Sequence, residues 1–259
     1  MRINQRKNNN NWDLFYELVR TDFVMRYHNS ALGFAWVLLK PFLLFLTLMV
    51  VFSWFFKNQD PFYKLNLLLG IIIYSYFQEA VLRGVSCLYE KSSIILKVNF
   101  PKVMAIFTSV VNSFISFFFS LIVFFIFWLW VRPSGSLLYL PYFFLHILIL
   151  TALILGINLF ISISYIRLRD LLSVSEILLR LIFYLTPIIY PLSIIPSRFQ
   201  QILLLNPLAV VITQSQNVLV SGYQLSWTHT LYAFSLAAVF LFLGLYWFKK
   251  NITSVAENF

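Results

Sequence analysis

Between Lys102 and Arg132 the chain reads VMAIFTSVVNSFISFFFSLIVFFIFWLWV, residues 103–131, without one charged side chain. About 20 apolar residues let a helix cross a bilayer. At 1.5 Å per residue this run makes a helix of about 43 Å, so it should tilt or protrude. Charges elsewhere in the chain are spaced so as to leave five more apolar stretches. The expected spans are residues 32–56, 65–87, 104–131, 141–165, 172–190 and 229–248. The fold class expected is all-α, a membrane protein with six transmembrane helices.

Composition agrees. Hydrophobic residues make up 61% of 259 positions and charged residues 11%, against roughly 45–50% and 25% in a soluble domain. Mean hydropathy is +0.84. The 29 Phe, 14 Tyr and 7 Trp carry more apolar surface than a soluble domain of this size can bury. Seven glycines never approach a phosphate-binding G-x-x-x-x-G-K or G-x-G-x-x-G pattern, so no nucleotide site is expected on this chain. One cysteine, Cys87, forbids an internal disulfide, and neither C-x-x-C nor H-E-x-x-H occurs, so no metal site is expected. The N-terminal residues 1–11 are basic and Asn-rich without a short apolar core, so no cleavable signal is expected.

The net charge of +10 is read as a topology signal rather than as an affinity for nucleic acid. With the N-terminus inside, thirteen Lys and Arg fall on cytoplasmic segments. Four (Lys57, Lys64, Arg132 and Arg198) fall on outer loops. Both termini are therefore expected in the cytoplasm. Glu79 and Arg83, four residues apart near the inner end of the second span, read as a structural ion pair, and Glu176 and Arg180 repeat the spacing. His146 and His229 read as interfacial or hydrogen-bonded. No set of residues approaches a catalytic constellation.

Two stretches depart from plain spans. Residues 12–28 place Trp12, Phe15, Tyr16, Val19 and Phe23 on one stripe, which suits a helix lying in the inner interface. Residues 186–222 are apolar but broken by Pro187, Pro191, Pro196 and Pro207, too many for one helix. Irregular backbone at membrane depth survives where protein or water covers it. Short re-entrant helices in the outer leaflet between spans five and six are therefore expected.

The run Arg26-Tyr27-His28-Asn29-Ser30-Ala31-Leu32-Gly33-Phe34-Ala35-Trp36, followed by Pro41, resembles the first-span entry of ABC-type polysaccharide and polyol-phosphate export permeases. Lys97-Val98-Asn99-Phe100-Pro101 is similar to that family's loop after the second span. Arg169-Asp170-Leu171, then Tyr184-Leu185-Thr186-Pro187-Ile188-Ile189-Tyr190-Pro191, Pro196 and Asn206-Pro207-Leu208 match in order and spacing. Two departures stand out. Gly70 is followed by Ile73 and Tyr74 where the family often carries Gly-x-x-Pro-Trp, and Lys40 is unusual within an apolar span; it needs an interface or a wet cavity.

The resemblance implies a type-2 transmembrane domain over residues 32–259, preceded by a cytoplasmic tail and amphipathic interfacial helix over 1–31. It also implies a homodimer in the bacterial inner (cytoplasmic) membrane, bound to two copies of a separate ABC ATPase that carries the ATP and Mg. The cargo would be a surface polysaccharide: lipid-linked O-antigen first, or capsule or teichoic acid. An ATP-independent glycan flippase and a membrane-embedded transferase are the alternatives. For coupling to the ATPase the resemblance points to Glu90, Lys91, Lys97, Asn99, Phe100, Pro101 and Lys102, although residues 88–102 also read as a solvated connector. Arg169 and Asp170 read equally as a second coupling contact or a local helix-end pair. Gate or channel candidates are Tyr74, Tyr184, Thr186, Pro187, Tyr190, Pro191, Asn206 and Pro207.

Overall fold

A computed structural model describes residues 2–27, 32–56, 60–97, 101–222 and 225–255. Among them every regular element is helical: α1 (Arg2–Tyr27), α2 (Trp36–Phe56), α3 (Tyr63–Glu90), α4 (Ser92–Lys97), α5 (Val103–Val131), α6 (Leu140–Arg167), α7 (Leu171–Leu185), α8 (Ser197–Leu203), α9 (Pro207–Gln216) and α10 (Trp227–Val255). Among the described residues, five helical stretches are long and apolar enough to cross a membrane: Gly33–Phe56, Tyr63–Glu90, Val103–Val131, Leu137–Arg167 and Trp227–Ile252. The chain is a multi-pass membrane protein. A sixth crossing exists only if Ser197–Leu203 and Pro207–Ser221, bent by 112°, count as one broken span.

The span expected at 172–190 needs correction. α7 ends at Leu185, and its fifteen residues reach about 22 Å, short of the roughly 30 Å hydrocarbon core. The stop has a local cause. Thr186 is extended, with φ −97° and ψ 136°, as the residue before a proline prefers, because the ring of Pro187 crowds a helical neighbour.

α3 is the central helix. It packs against α2, α5, α6, α7 and α9, and most of its length from Tyr63 to Leu88 is buried. With little hydrophobic drive between helices inside lipid, close approach and hydrogen bonds hold the bundle. Asn158 of α6 donates to the Ala80 carbonyl of α3 at 2.9 Å. Gly84 leaves room for it: a Cβ there would stand 2.0 Å from the Asn158 side chain. α6 and α10 approach backbone to backbone. A Cβ on Gly156 would lie 2.5 Å from the Phe240 carbonyl carbon, and one on Gly244 2.4 Å from the Gly156 oxygen. Ala233 and Ala237 line the same face of α10, fully buried. His146 seals this seam, bonding the Tyr142 carbonyl at 2.7 Å and the Thr230 hydroxyl at 3.1 Å. Of the two roles expected of it, interfacial or hydrogen-bonded, the structure shows the second.

α1 packs against the bundle along one face. Trp12 and Tyr16 are 70% and 66% exposed, whereas Leu18 is buried. The inward face is Leu14, Leu18, Asp22 and Arg26, one residue per turn. Its contacts climb α5 in step: Leu18 clusters with Ala105 and Ile106, Asp22 pairs with Lys91, which bonds Thr108, and Arg26 donates to Ser116 at 2.8 Å. α1 thus runs alongside α5. The reason is electrostatic: two fixed charges on the bundle, Lys91 and Glu79, select the face that can neutralise them.

Candidate functional site

One end of the bundle gathers two segments that lie far apart in sequence. α3 ends at Glu90 because Lys91 turns the chain, its N–H bonding back to the carbonyls of Cys87 and Tyr89. α6 ends at Arg167, and the chain passes through Leu168, Arg169 and Asp170 into α7. The guanidinium of Arg169 lies 3.9 Å over the centre of the Tyr89 ring, and the Tyr89 and Tyr165 rings meet edge to face at 6.3 Å. Glu90, Pro101, Arg167, Leu168, Arg169 and Asp170 are all exposed. A charged surface with an aromatic step therefore forms from both expected coupling segments.

The other candidates divide. Lys91 is 7% exposed. Its Nζ sits 2.5 Å from Asp22 Oδ2 and 2.6 Å from Thr108 Oγ1, so it is committed to holding α1. Lys102 is half-buried and donates to the Ile252 carbonyl of α10 at 3.4 Å. Asn99 and Phe100 lie outside the described residues, as do the Lys97 side chain and residues 28–31 of the first motif. Glu79 and Arg83 pair at 3.2 Å as expected, and Arg26 joins the same carboxylate oxygen at 2.6 Å. Glu176 and Arg180 are both exposed and form no ion pair with each other among the described residues.

Asp22, Arg26 and Tyr89 make contacts at this end that the sequence reading did not single out. A signal for the first two was present in the four-residue spacing of Leu14, Leu18, Asp22 and Arg26. The signal for Tyr89 lay only in its place beside Glu90.

At the opposite end the proline-rich segment is stapled. Thr186 is buried, and its hydroxyl donates to the Ile182 carbonyl at 2.7 Å and accepts from Asn206 Nδ2 at 3.2 Å. The same Asn206 caps α9, its Oδ1 accepting from the Leu208 N–H at 3.0 Å, with Pro207 at the first turn. Tyr190 donates to the Tyr184 carbonyl at 3.2 Å. Pro187 is buried and Pro191 half-buried, both on a cavity of about 500 Å³ that also meets Asp60, Asn66 and Gln214. Tyr184 is exposed. Tyr74 is buried, its hydroxyl bonded to the Leu179 carbonyl and its ring on Phe183. It therefore ties α3 to α7, and the side chain is spent on packing.

Asn206→Ala removes a cap and the staple together. Losing an Asn cap costs about 0.5–2 kcal/mol. We expect amide exchange across residues 187–208 to quicken about tenfold while α3 and α6 keep their protection. Unchanged exchange in that segment would show that Asn206 does not hold it.

Comparison with known proteins places this architecture. Residues 13–220 match the model of the family described as ABC-2 type transporter. An O-antigen export system permease protein, RfbA, of Klebsiella pneumoniae is 28% identical over 214 residues, covering 82% of each chain. Its namesake in Myxococcus xanthus is 26% identical over 79% of each. The polysialic acid transport protein KpsM of Escherichia coli is 25% identical over 90% of this chain and 89% of its own.

Proposed function

The chain belongs to the ABC-2 type transporter family, and from that membership we propose that it is the permease subunit of an ATP-driven exporter of a cell-surface polysaccharide. Lipid-linked O-antigen is the first candidate cargo, with capsule or teichoic polymer next. The observation that carries this is the family match over 13–220, together with relatives named for O-antigen export and polysialic acid transport. A flippase without an ATPase or a transferase is not favoured by any of them.

In the working transporter two copies of this chain enclose the path, and two copies of a separate ATPase supply ATP and Mg. The permease itself holds no cofactor. The ATPase docks on the inner surface around Glu90, Pro101, Arg169 and Asp170; exposure and mixed charge support this. Residues 1–31 form the tail and α1, and residues 32–259 the transmembrane domain. The chain lies in the bacterial inner membrane, surrounded by its lipids, with both termini cytoplasmic; the bias of Lys and Arg supports that orientation. α7 enters from the inner side, and the segment from Thr186 through α8 and α9 folds back in the outer leaflet as the exit gate. The 112° bend supports that reading. Nucleic acid is not a partner.

Deleting the gene for this chain should empty the cell surface of one polysaccharide while its lipid-linked form accumulates at the inner face. Persistence of every surface glycan would overturn the assignment. Charge exchange at the docking surface, Arg169→Glu with Asp170→Arg, should lower export at least tenfold with chain abundance unchanged. Both side chains are exposed, and the lost cation–π contact is worth only about 0.5–1 kcal/mol. Normal export by this variant would remove the loop from the coupling path.

A further inference from the structure

Lys40 sits one turn into the apolar helix α2, next to Pro41, and makes no ion pair or hydrogen bond among the described residues. Yet it is not adrift in lipid. It lines a cavity of about 670 Å³ between α2, α3 and α5, whose wall also holds Arg26, Glu79 and Arg83. Glu79 Oε1 already serves two guanidinium groups, Arg26 at 2.6 Å and Arg83 at 3.2 Å. Lys40 is therefore a further cation, with no partner among the described residues, on a wall that already carries Arg26, Glu79 and Arg83 within the membrane-spanning bundle. Charge so placed is costly unless a counter-charge or water meets it.

A stripe of hydroxyls from α5 (Ser113, Ser116 and Ser120) lines the same cavity. Each donates to a backbone carbonyl one turn back, and each can rotate to donate outward instead. Cations with hydroxyl donors are the chemistry of phosphate recognition.

The neighbouring space says what carries the phosphate. A second cavity, of about 350 Å³, adjoins the first and shares Pro41, Ile72 and Ser120 with it. Its remaining wall is apolar: Leu39, Phe42, Leu68, Val123 and Phe127 among others. Along α5 it extends beyond Ser120, and along α3 toward Leu68, away from the end where Arg83 and α1 lie. The two cavities together make an amphiphilic slot with the charge toward the inner side and the grease toward the bilayer centre.

We propose that this slot binds a phosphate-bearing lipid of the inner leaflet, its headgroup held by Lys40 beside the Arg26–Glu79–Arg83 cluster and its chain in the groove between α2 and α5. Two lipids carry that chemistry: the polyisoprenyl diphosphate carrier of a polymer, or an anionic phospholipid. Only the first of these rests on the export function proposed above.

The test places a photo-crosslinking residue at Leu39 in the chain, purified with its ATPase and reconstituted in phosphatidylcholine vesicles. The vesicles contain phosphatidylglycerol, polyisoprenyl diphosphate or neutral polyisoprenol. Irradiation should capture one or both anionic lipids at least fivefold above phosphatidylcholine and polyisoprenol, after correction for their mole fractions. Lys40→Gln should remove that preference, whereas Lys40→Arg keeps it. Both variants spare the Glu79 ion pairs, and an unchanged melting temperature reports that the bundle is intact. Preference for polyisoprenyl diphosphate identifies the carrier as occupant, and preference for phosphatidylglycerol identifies a bilayer lipid. Equal capture of all lipids, or a preference indifferent to Lys40→Gln, overturns the site. None of these readings uses export, so failure here leaves the gene-deletion result to stand or fall separately.

Discussion

Gly156→Leu should abolish export and lower the melting temperature of the purified transporter by roughly 10 °C. The seam between α6 and α10 has no slack: even a Cβ at Gly156 would stand 2.5 Å from the Phe240 carbonyl carbon. A leucine must force the helices apart along their length. That movement also strains the His146–Thr230 bond, 3.1 Å across the same seam. Overpacking a tight core costs about 1–3 kcal/mol and sometimes more. Here backbone rather than a side-chain tip is in the way, so the upper end applies, at roughly 2–4 °C per kcal/mol. Leu148→Ala is the control: it lies on the same helix but is 66% exposed, and should change the melt by no more than about 2 °C. A normal melt for Gly156→Leu would mean that the two helices do not touch through their backbones.

Lys91→Asp should release α1 and reduce export more than tenfold, and adding Asp22→Lys should restore a large part of it. Lys91 is buried between Asp22 and Thr108. Removing one member of a buried pair leaves the other uncompensated, at about 3–5 kcal/mol. The lower end applies because Asp22 is 27% exposed. Reversing one charge adds repulsion, whereas reversing both restores attraction with the polarity exchanged. Amide exchange over residues 12–26 reports the release directly. A residue gripping the ATPase would give the opposite pattern, since changing Asp22 could not repair a contact made elsewhere. Absence of rescue would return Lys91 to the docking surface.

Where a feature depended on local chemistry, the sequence reading recovered it. Charge-free runs located α2, α3, α5, α6 and α10, because lipid tolerates no unpaired backbone and few charges whatever the tertiary contacts. The break after Leu185 was legible because Pro187 acts on its immediate neighbour. What the sequence did not show depended on partners distant in sequence. The stripe of Trp12 and Tyr16 says nothing of which face of α1 meets the bundle, because Glu79 and Lys91, which that face satisfies, lie much further along the chain. Lys91 itself reads as a loop lysine, and only the fold shows it turned inward. Tyr74 reads as a channel ring because Tyr often lines glycan paths, but the Leu179 carbonyl within reach decides its use. Gly156 and Gly244 gave no warning, since nothing in either neighbourhood announces that the two will meet.

That meeting has a consequence for biosynthesis. His146 and Thr230 are separated by 84 residues. At roughly 5–20 residues per second a ribosome needs about 4–17 s to supply the second after the first. During that interval α6 has entered the membrane with its glycine notch unfilled and its buried imidazole lacking the threonine. α3, already made, can accept Asn158, so one flank of α6 docks at once while the other waits. Chains interrupted before Trp227 would display that unfinished flank to the membrane's quality-control proteases. Arrival of α10 is thus the step that commits the nascent permease to persistence rather than turnover.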